Sequence, residues 1–113
     1  MRRARVHSDF AADYGAQLDW LIAHGERTWI EQLADGTERI LTTLPMFPEI
    51  GAREAADGTV ELRVVRYQKG PYRAWYVYDR DAPAGDIWLV RLFHARQRRQ
   101  RPDPSRWYPR SAR

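Results

Sequence analysis

Apolar positions recur along this chain at two periods, first the 3.6 of a helix and then the 2 of a strand. Phe10, Tyr14, Leu18, Leu21 and Ile22 return at helical spacing. Ser8 is placed to cap this helix, Asp9 puts a negative charge in its first turn, and Gly25 fits the position that closes it. A second helical stretch runs from about Arg27 to Leu44, with Ile30, Leu33, Ile40, Leu41 and Leu44 on one face and Trp29 at its edge. Gly36 interrupts it at a cost of about 1 kcal/mol relative to alanine, so Asp35-Gly36 leaves open one helix or two short ones. Few residues separate the two patterns, which predicts an antiparallel helical hairpin ended by Pro45 and Pro48.

The strand signals follow a stretch from Pro45 to Gly58 that reads as a loop. Thr59 to Tyr67 alternates, with Val60, Leu62 and Val64 on one face and Glu61, Arg63 and Val65 on the other. Gln68-Lys69-Gly70-Pro71 is a turn. Tyr72 to Asp79 places Tyr72, Ala74, Tyr76 and Tyr78 on one face and Arg73, Trp75 and Val77 on the other. Arg80 to Gly85 connects to Ile87–His94, apolar on both faces as a central strand covered on both sides would be. Arg3 to His7 reads as a short first strand. The predicted fold class is α+β, in the order β-α-α-β-β-β. An N-terminal strand and an α-helical hairpin pack on one face of a small, mainly antiparallel sheet. Residues 1–100 form the single domain, and 101–113 form a basic tail with Trp107 and Tyr108 as its apolar anchors.

Composition narrows the class. With 113 residues the chain can bury one core. It has no cysteine, so no disulfide framework and no thiolate zinc site. His7, His24 and His94 lack metal-ligand spacing, and neither a metal nor a cofactor is expected. The basic start has no apolar run of the signal-peptide kind, and no stretch approaches the roughly 20 apolar residues that cross a bilayer. A soluble cytoplasmic protein without membrane contact is the expectation. The net charge of +4 is uneven: residues 91–113 hold eight arginines against one acid, Asp103, whereas residues 1–90 carry a net −3. Such asymmetry suits a polyanion or an acidic partner.

Candidate chemistry gathers in Asp86 to Gln100, where an apolar strand reaches His94 and then Arg96, Arg98 and Arg99, with Arg101 just beyond. A histidine near its reference pKa, about 6.5, can serve as acid or base, and arginines can hold a phosphodiester through its displacement. Arg63 and Arg73 are predicted to share the open sheet face with His94 and Arg96, making one basic concavity. Strict alternation then puts Trp88, Val90 and Leu92 on that face too and sends Arg91 towards the helices, unless the strand bulges. Among the sheet aromatics Trp75 is a candidate for stacking bases, and with Arg98, Arg99 and Arg101 it forms the expected contact to nucleic acid or to an acidic protein partner.

In order and length, VHSDFAADY…DWL, ILTTLPMFPEIG, VELRVV, PYRAWYVYD and IWLVRLFHARQ together resemble the RelE/ParE superfamily of bacterial type II toxin–antitoxin toxins, over roughly residues 5 to 100. The resemblance implies a small cytoplasmic growth inhibitor held by a cognate antitoxin. Its two implied activities are metal-independent mRNA cleavage on the ribosome, as in RelE-like members, and DNA gyrase inhibition without nuclease activity, as in ParE-like members. Arg73 and Arg96 resemble the phosphate-binding arginines of the nucleases, His94 resembles the histidine of the YoeB-like branch, and Arg63 occupies the recurrent Leu-Arg position. VELRVV departs from the lysine-rich strand of RelE, and Tyr108 is no clean match to its terminal tyrosine. The mRNA endonuclease is placed slightly ahead of the gyrase inhibitor, and both ahead of a non-toxic nucleic-acid-binding module.

Overall fold

In the computed structural model, which describes residues 2–97, the helical hairpin lies on one face of a five-stranded sheet. The elements are β1 (Ala4–Val6), α1 (Ser8–Ala23), α2 (Arg27–Thr43), β2 (Ala52–Asp57), β3 (Val60–Arg66), β4 (Tyr72–Asp79) and β5 (Ile87–His94). The sheet order is β1-β5-β4-β3-β2, with β1 parallel to β5 and every other pair antiparallel. This is the α+β arrangement the hydrophobic pattern predicts. The tail from 101 to 113, with Arg101 and Tyr108, and the arginines Arg98 and Arg99 lie outside the described residues.

Two apolar clusters sandwich the central strands. On the helix side Phe10, Leu21, Leu33 and Ile40 pack on Tyr76, Tyr78, Ile87, Leu89 and Leu92. On the opposite side Leu62, Trp75, Val77, Val90 and Phe93 form a second cluster. That explains why β5 is apolar on both faces, and it puts a second cluster of buried apolar side chains on the face away from the helices rather than a row of solvated arginines.

Three local features differ from the sequence reading. The N-cap of α1 is His7, whose Nδ1 accepts from the Asp9 amide at 3.0 Å, so Ser8 is the first helical residue. The segment read as a loop up to Gly58 contains β2, whose Ala, Glu and Asp have poor strand propensity and whose formation rests on pairing with β3. The third difference settles the open question at Gly36: α2 is one uninterrupted helix. A Cβ at Gly36 would stand 2.4 Å from Cδ2 of Tyr67, so glycine lets the helix approach a buried ring. The same ring is pinned by its hydroxyl, 2.6 Å from Thr37 Oγ1.

Gly36→Ala therefore sets two effects against each other. Alanine gains about 1 kcal/mol in helix propensity, whereas an overpacked core loses about 1–3 kcal/mol. Tyr67 is held at both ends, so the clash should win by about 1 kcal/mol. Urea denaturation measures this, and an unchanged or raised midpoint would show that the ring gives way freely.

The question raised by β5 is answered by a bulge. Trp75 pairs with Arg91 but Tyr76 pairs with Leu89, which leaves Val90 as the extra residue. Ile87, Leu89 and Leu92 then all face the helices. Arg91 turns to α1, where its Nε and Nη2 donate to the two carboxylate oxygens of Asp13 at 2.7 and 3.1 Å. Asp13 Oδ2 also accepts from the Leu92 amide at 3.0 Å, occupying the edge of β5 beyond its pairing with β1.

Candidate functional site

The register of β3, β4 and β5 decides which candidate side chains can meet. Cross-strand partners share a face, and Arg63 pairs with Tyr76 whereas Arg73 pairs with Arg66 and Phe93. Arg63 thus lies on the face of the helix-side tyrosines, and Arg73 lies on the opposite face with Trp75 and Phe93. His94 pairs with Tyr72 and so lies on the helix side, back to back with Arg73's neighbours. The expected single basic concavity of Arg63, Arg73, His94 and Arg96 does not form. The hairpin register is the physical reason: pairing Arg66 with Arg73 matches even-numbered positions of β3 to odd-numbered positions of β4, which separates Arg63 from Arg73.

Arg63 is occupied by the fold. Its Nε donates to Glu61 Oε1 at 2.8 Å, and its Nη1 donates to the carbonyls of Gly51 at 2.7 Å and Glu49 at 3.1 Å. The Tyr76 hydroxyl joins it, donating to Pro48 O at 2.7 Å and accepting from the Gly51 amide at 2.9 Å. Together they tie the Pro48–Gly51 connection to the sheet. Glu61 is 3% exposed. Burial opposes its charge, but the bond and charge of Arg63, the Tyr78 hydroxyl and Arg53 outweigh burial and hold the carboxyl below its ordinary value.

Trp75 is also occupied. It is 7% exposed and tilts against Phe93 with ring centroids 5.1 Å apart, a core side chain rather than a free platform for bases. Arg73 is different. With Arg66 directly across from it, two like charges stand side by side, and neither has an ion pair among the described residues. Arg66 also rims an apolar groove between α2 and β3, walled by Ile40, Ile50 and Val65, with Arg39 on its other bank. Arg73 borders the adjoining depression, which shares Ile50, Val65 and Arg66.

His94 and Arg96 do meet, at the mouth of a cleft of about 720 Å³ between the hairpin and the ends of β4 and β5. Trp20, Trp29, Tyr72 and Glu26 line the same cleft. The His94 ring stands edge-on to Tyr72 at 5.8 Å, and its Nδ1 accepts from the Arg96 amide at 3.1 Å. Burial and then the Arg96 charge hold the His94 pKa below its ordinary value. A neutral ring that accepts at Nδ1 carries its proton on Nε2. In this arrangement His94 offers the cleft a hydrogen-bond donor, and a second proton, on Nδ1, would remove the hydrogen bond that Nδ1 accepts from the Arg96 amide N–H.

Sequence reasoning placed Trp29 only at the edge of its helix and passed over Trp20. The signal was present: Trp20 falls off the Phe10–Tyr14–Leu18–Leu21 stripe, which predicts an exposed indole, and Trp20 is 55% exposed. Among the described residues no group of three or more His, Cys, Asp or Glu could hold a metal ion, and no helix is long and apolar enough to cross a membrane. No family model matches the chain, and neither a curated protein nor a solved structure was found to match it.

Proposed function

We propose that this chain is the toxin of a bacterial type II toxin–antitoxin module, working in the cytoplasm, and that it arrests growth by binding its target, DNA gyrase, rather than by cutting RNA. The toxin reading is supported by the resemblance across residues 5 to 100 together with an N-terminal strand, a helical hairpin on one sheet face and a run of antiparallel strands, β-α-α-β-β-β-β in all. Fold alone does not choose a target, so the choice rests on the site. The observation that carries it is the dispersal of the nuclease candidates. In-line cleavage of RNA needs a base at the 2′-hydroxyl and cations around one phosphate. Here Arg63 is engaged by Glu61 and two carbonyls, Arg73 faces away from His94, and the His94 Nδ1 is used by the Arg96 amide.

The cognate antitoxin is assigned to the groove between α2 and β3. An acidic amphipathic segment would lay its apolar side on Ile40, Ile50 and Val65 and its carboxylates against Arg39, Arg66 and Arg73. One observation favours the mRNA endonuclease instead, namely that His94 and Arg96 share a cleft. Induced expression in a bacterial host, read out by growth and by a supercoiling assay with purified gyrase, separates the two. Growth arrest with inhibited supercoiling is expected. Growth arrest with supercoiling intact would sink the gyrase target.

A further inference from the structure

The connection between α2 and β2 carries apolar side chains that the fold leaves in water. Met46, Phe47 and Ile50 are 57%, 59% and 55% exposed. The segment that bears them is fixed. The amides of Phe47 and Ile50 donate to the carbonyls of Thr43 and Phe47 at 3.0 and 3.1 Å. From the sheet side, Arg63 donates to the carbonyls of Glu49 and Gly51, and the Tyr76 hydroxyl donates to that of Pro48. A connection held in this way does not turn its apolar side chains inward, and it loses little conformational freedom on binding. Contiguous exposed apolar surface of this kind marks an interaction site.

Ile50 joins this surface to the groove beside it. It lines a shallow depression of about 560 Å³ with Met46, Phe47 and Pro48, and it also walls the groove between α2 and β3 with Ile40, Leu44 and Val65. The two make one apolar strip with opposite charges at its ends. At the loop end stands Glu49, exposed and without an ion pair among the described residues. At the groove end stand Arg39, which donates to Gln68, and Arg66, which is exposed. Neither arginine has an ion pair among the described residues.

Such a strip is complementary to itself. Turned about a two-fold axis near Ile50, it lays its loop end on the groove end of a second copy and its groove end on that copy's loop. Apolar side chains then meet apolar side chains twice, each Glu49 meets the arginines of the other copy, and like charges are carried to opposite ends. A partner that filled the groove alone would leave Met46 and Phe47 in water, whereas a second copy covers both ends.

We propose that this strip is a two-fold dimer interface, in which Phe47 of each copy enters the groove between α2 and β3 of the other and Glu49 pairs with Arg66. Pairing of one face with itself is closed, so it stops at two copies. The acidic antitoxin segment assigned to the same groove excludes the second copy, so the dimer belongs to the free chain. That consequence rests on the toxin reading; the pairing itself does not.

Sedimentation equilibrium of the full-length protein alone, over a wide range of concentrations, tests this. The average mass should rise from monomer to dimer and no further. Phe47→Ala should weaken dimerisation about thirtyfold, as for an aromatic anchor inside an interface. Glu49→Arg and Arg66→Glu should each weaken it about tenfold, because each sets like charges against one another at both ends. The double variant Glu49→Arg/Arg66→Glu brings opposite charges together again and should return to within about threefold of the parent. All three side chains are exposed, so the fold tolerates the changes. A chain that stays monomeric at every concentration overturns the proposal and leaves this face to a different protein. So does a dimer indifferent to Phe47→Ala and Glu49→Arg, which uses another face, and so does a double variant that dimerises no better than either single one. Neither antitoxin nor target is present, so these outcomes are independent of the toxin reading.

Discussion

Arg63→Ala is expected to cost about 3–5 kcal/mol of stability, the range for stripping one partner from a buried ion pair. The side chains of Arg63 and Glu61 are 14% and 4% exposed, so water screens them little. Removing the guanidinium leaves the Glu61 carboxylate with the Tyr78 hydroxyl at 3.2 Å and with Arg80 and Arg53 only at 3.5 and 3.8 Å. It also removes a donor from the Gly51 and Glu49 carbonyls, loosening the connection into β2. At roughly 4–8 °C per kcal/mol for a domain of about this size, the melting temperature should fall by well over 10 °C. Calorimetry at pH 7 measures it. A variant that melts like the parent would mean that Arg63 is free for a ligand and belongs to a functional site.

The pH dependence follows from the same pair. The carboxyl of Glu61 is held below its ordinary value in the folded state, so its stabilisation is complete above the unfolded value, roughly pH 4.3, and is lost as pH falls through the lower folded value. The melting difference between parent and Arg63→Ala should therefore narrow in acid. A difference that widens there would have the wrong sign for this pair.

Asp13→Ala should be the second most damaging change, at about 2–4 kcal/mol. One carboxylate serves three donors: Arg91 Nε, Arg91 Nη2 and the Leu92 amide. Its loss leaves a half-buried guanidinium without that partner and opens the edge of β5 just after the bulge. Hydrogen exchange at the Leu92 amide should accelerate by more than global destabilisation explains, while Leu62 and Val77 track the global change. Uniform acceleration at all three amides would mean that Asp13 contributes bulk stability and no local clasp.

The helices and four of the five strands were legible, β1 from its place before the first helix and the other three because their apolar residues sit at periods the core enforces. Phe10 and Leu21 follow one period and Val60 to Val65 the other, and both patterns face the layers they imply. β2 was hidden because Ala52–Asp57 has no apolar alternation, being an exposed edge strand formed by pairing. The Asp57-Gly58 dipeptide, a strong hairpin signal, was the available clue. The candidate site was less legible than the fold. Alternation within β3 and β4 is readable from each strand alone, but whether Arg63 and Arg73 share a face depends on the register between strands. That register is fixed by the turn at Gln68–Pro71 and by the packing of Tyr67 against Gly36. The bulge at Val90, which turns Leu92 and His94 to the helices, is likewise unreadable from β5 alone, and the clasp of Arg91 depends on Asp13, 78 residues away in sequence.

The central claim is that this chain binds its target and does not cut RNA, because the side chains that would cut are spread over two faces of the sheet. Mapping messenger RNA 5′ ends genome-wide, during induced expression of the full chain and at the onset of growth arrest, tests it most directly. The account predicts arrested growth with no new 5′ ends inside translated messages. New ends at codon-fixed positions, absent when His94→Ala is expressed to the same level, would contradict it and return His94 to a catalytic role.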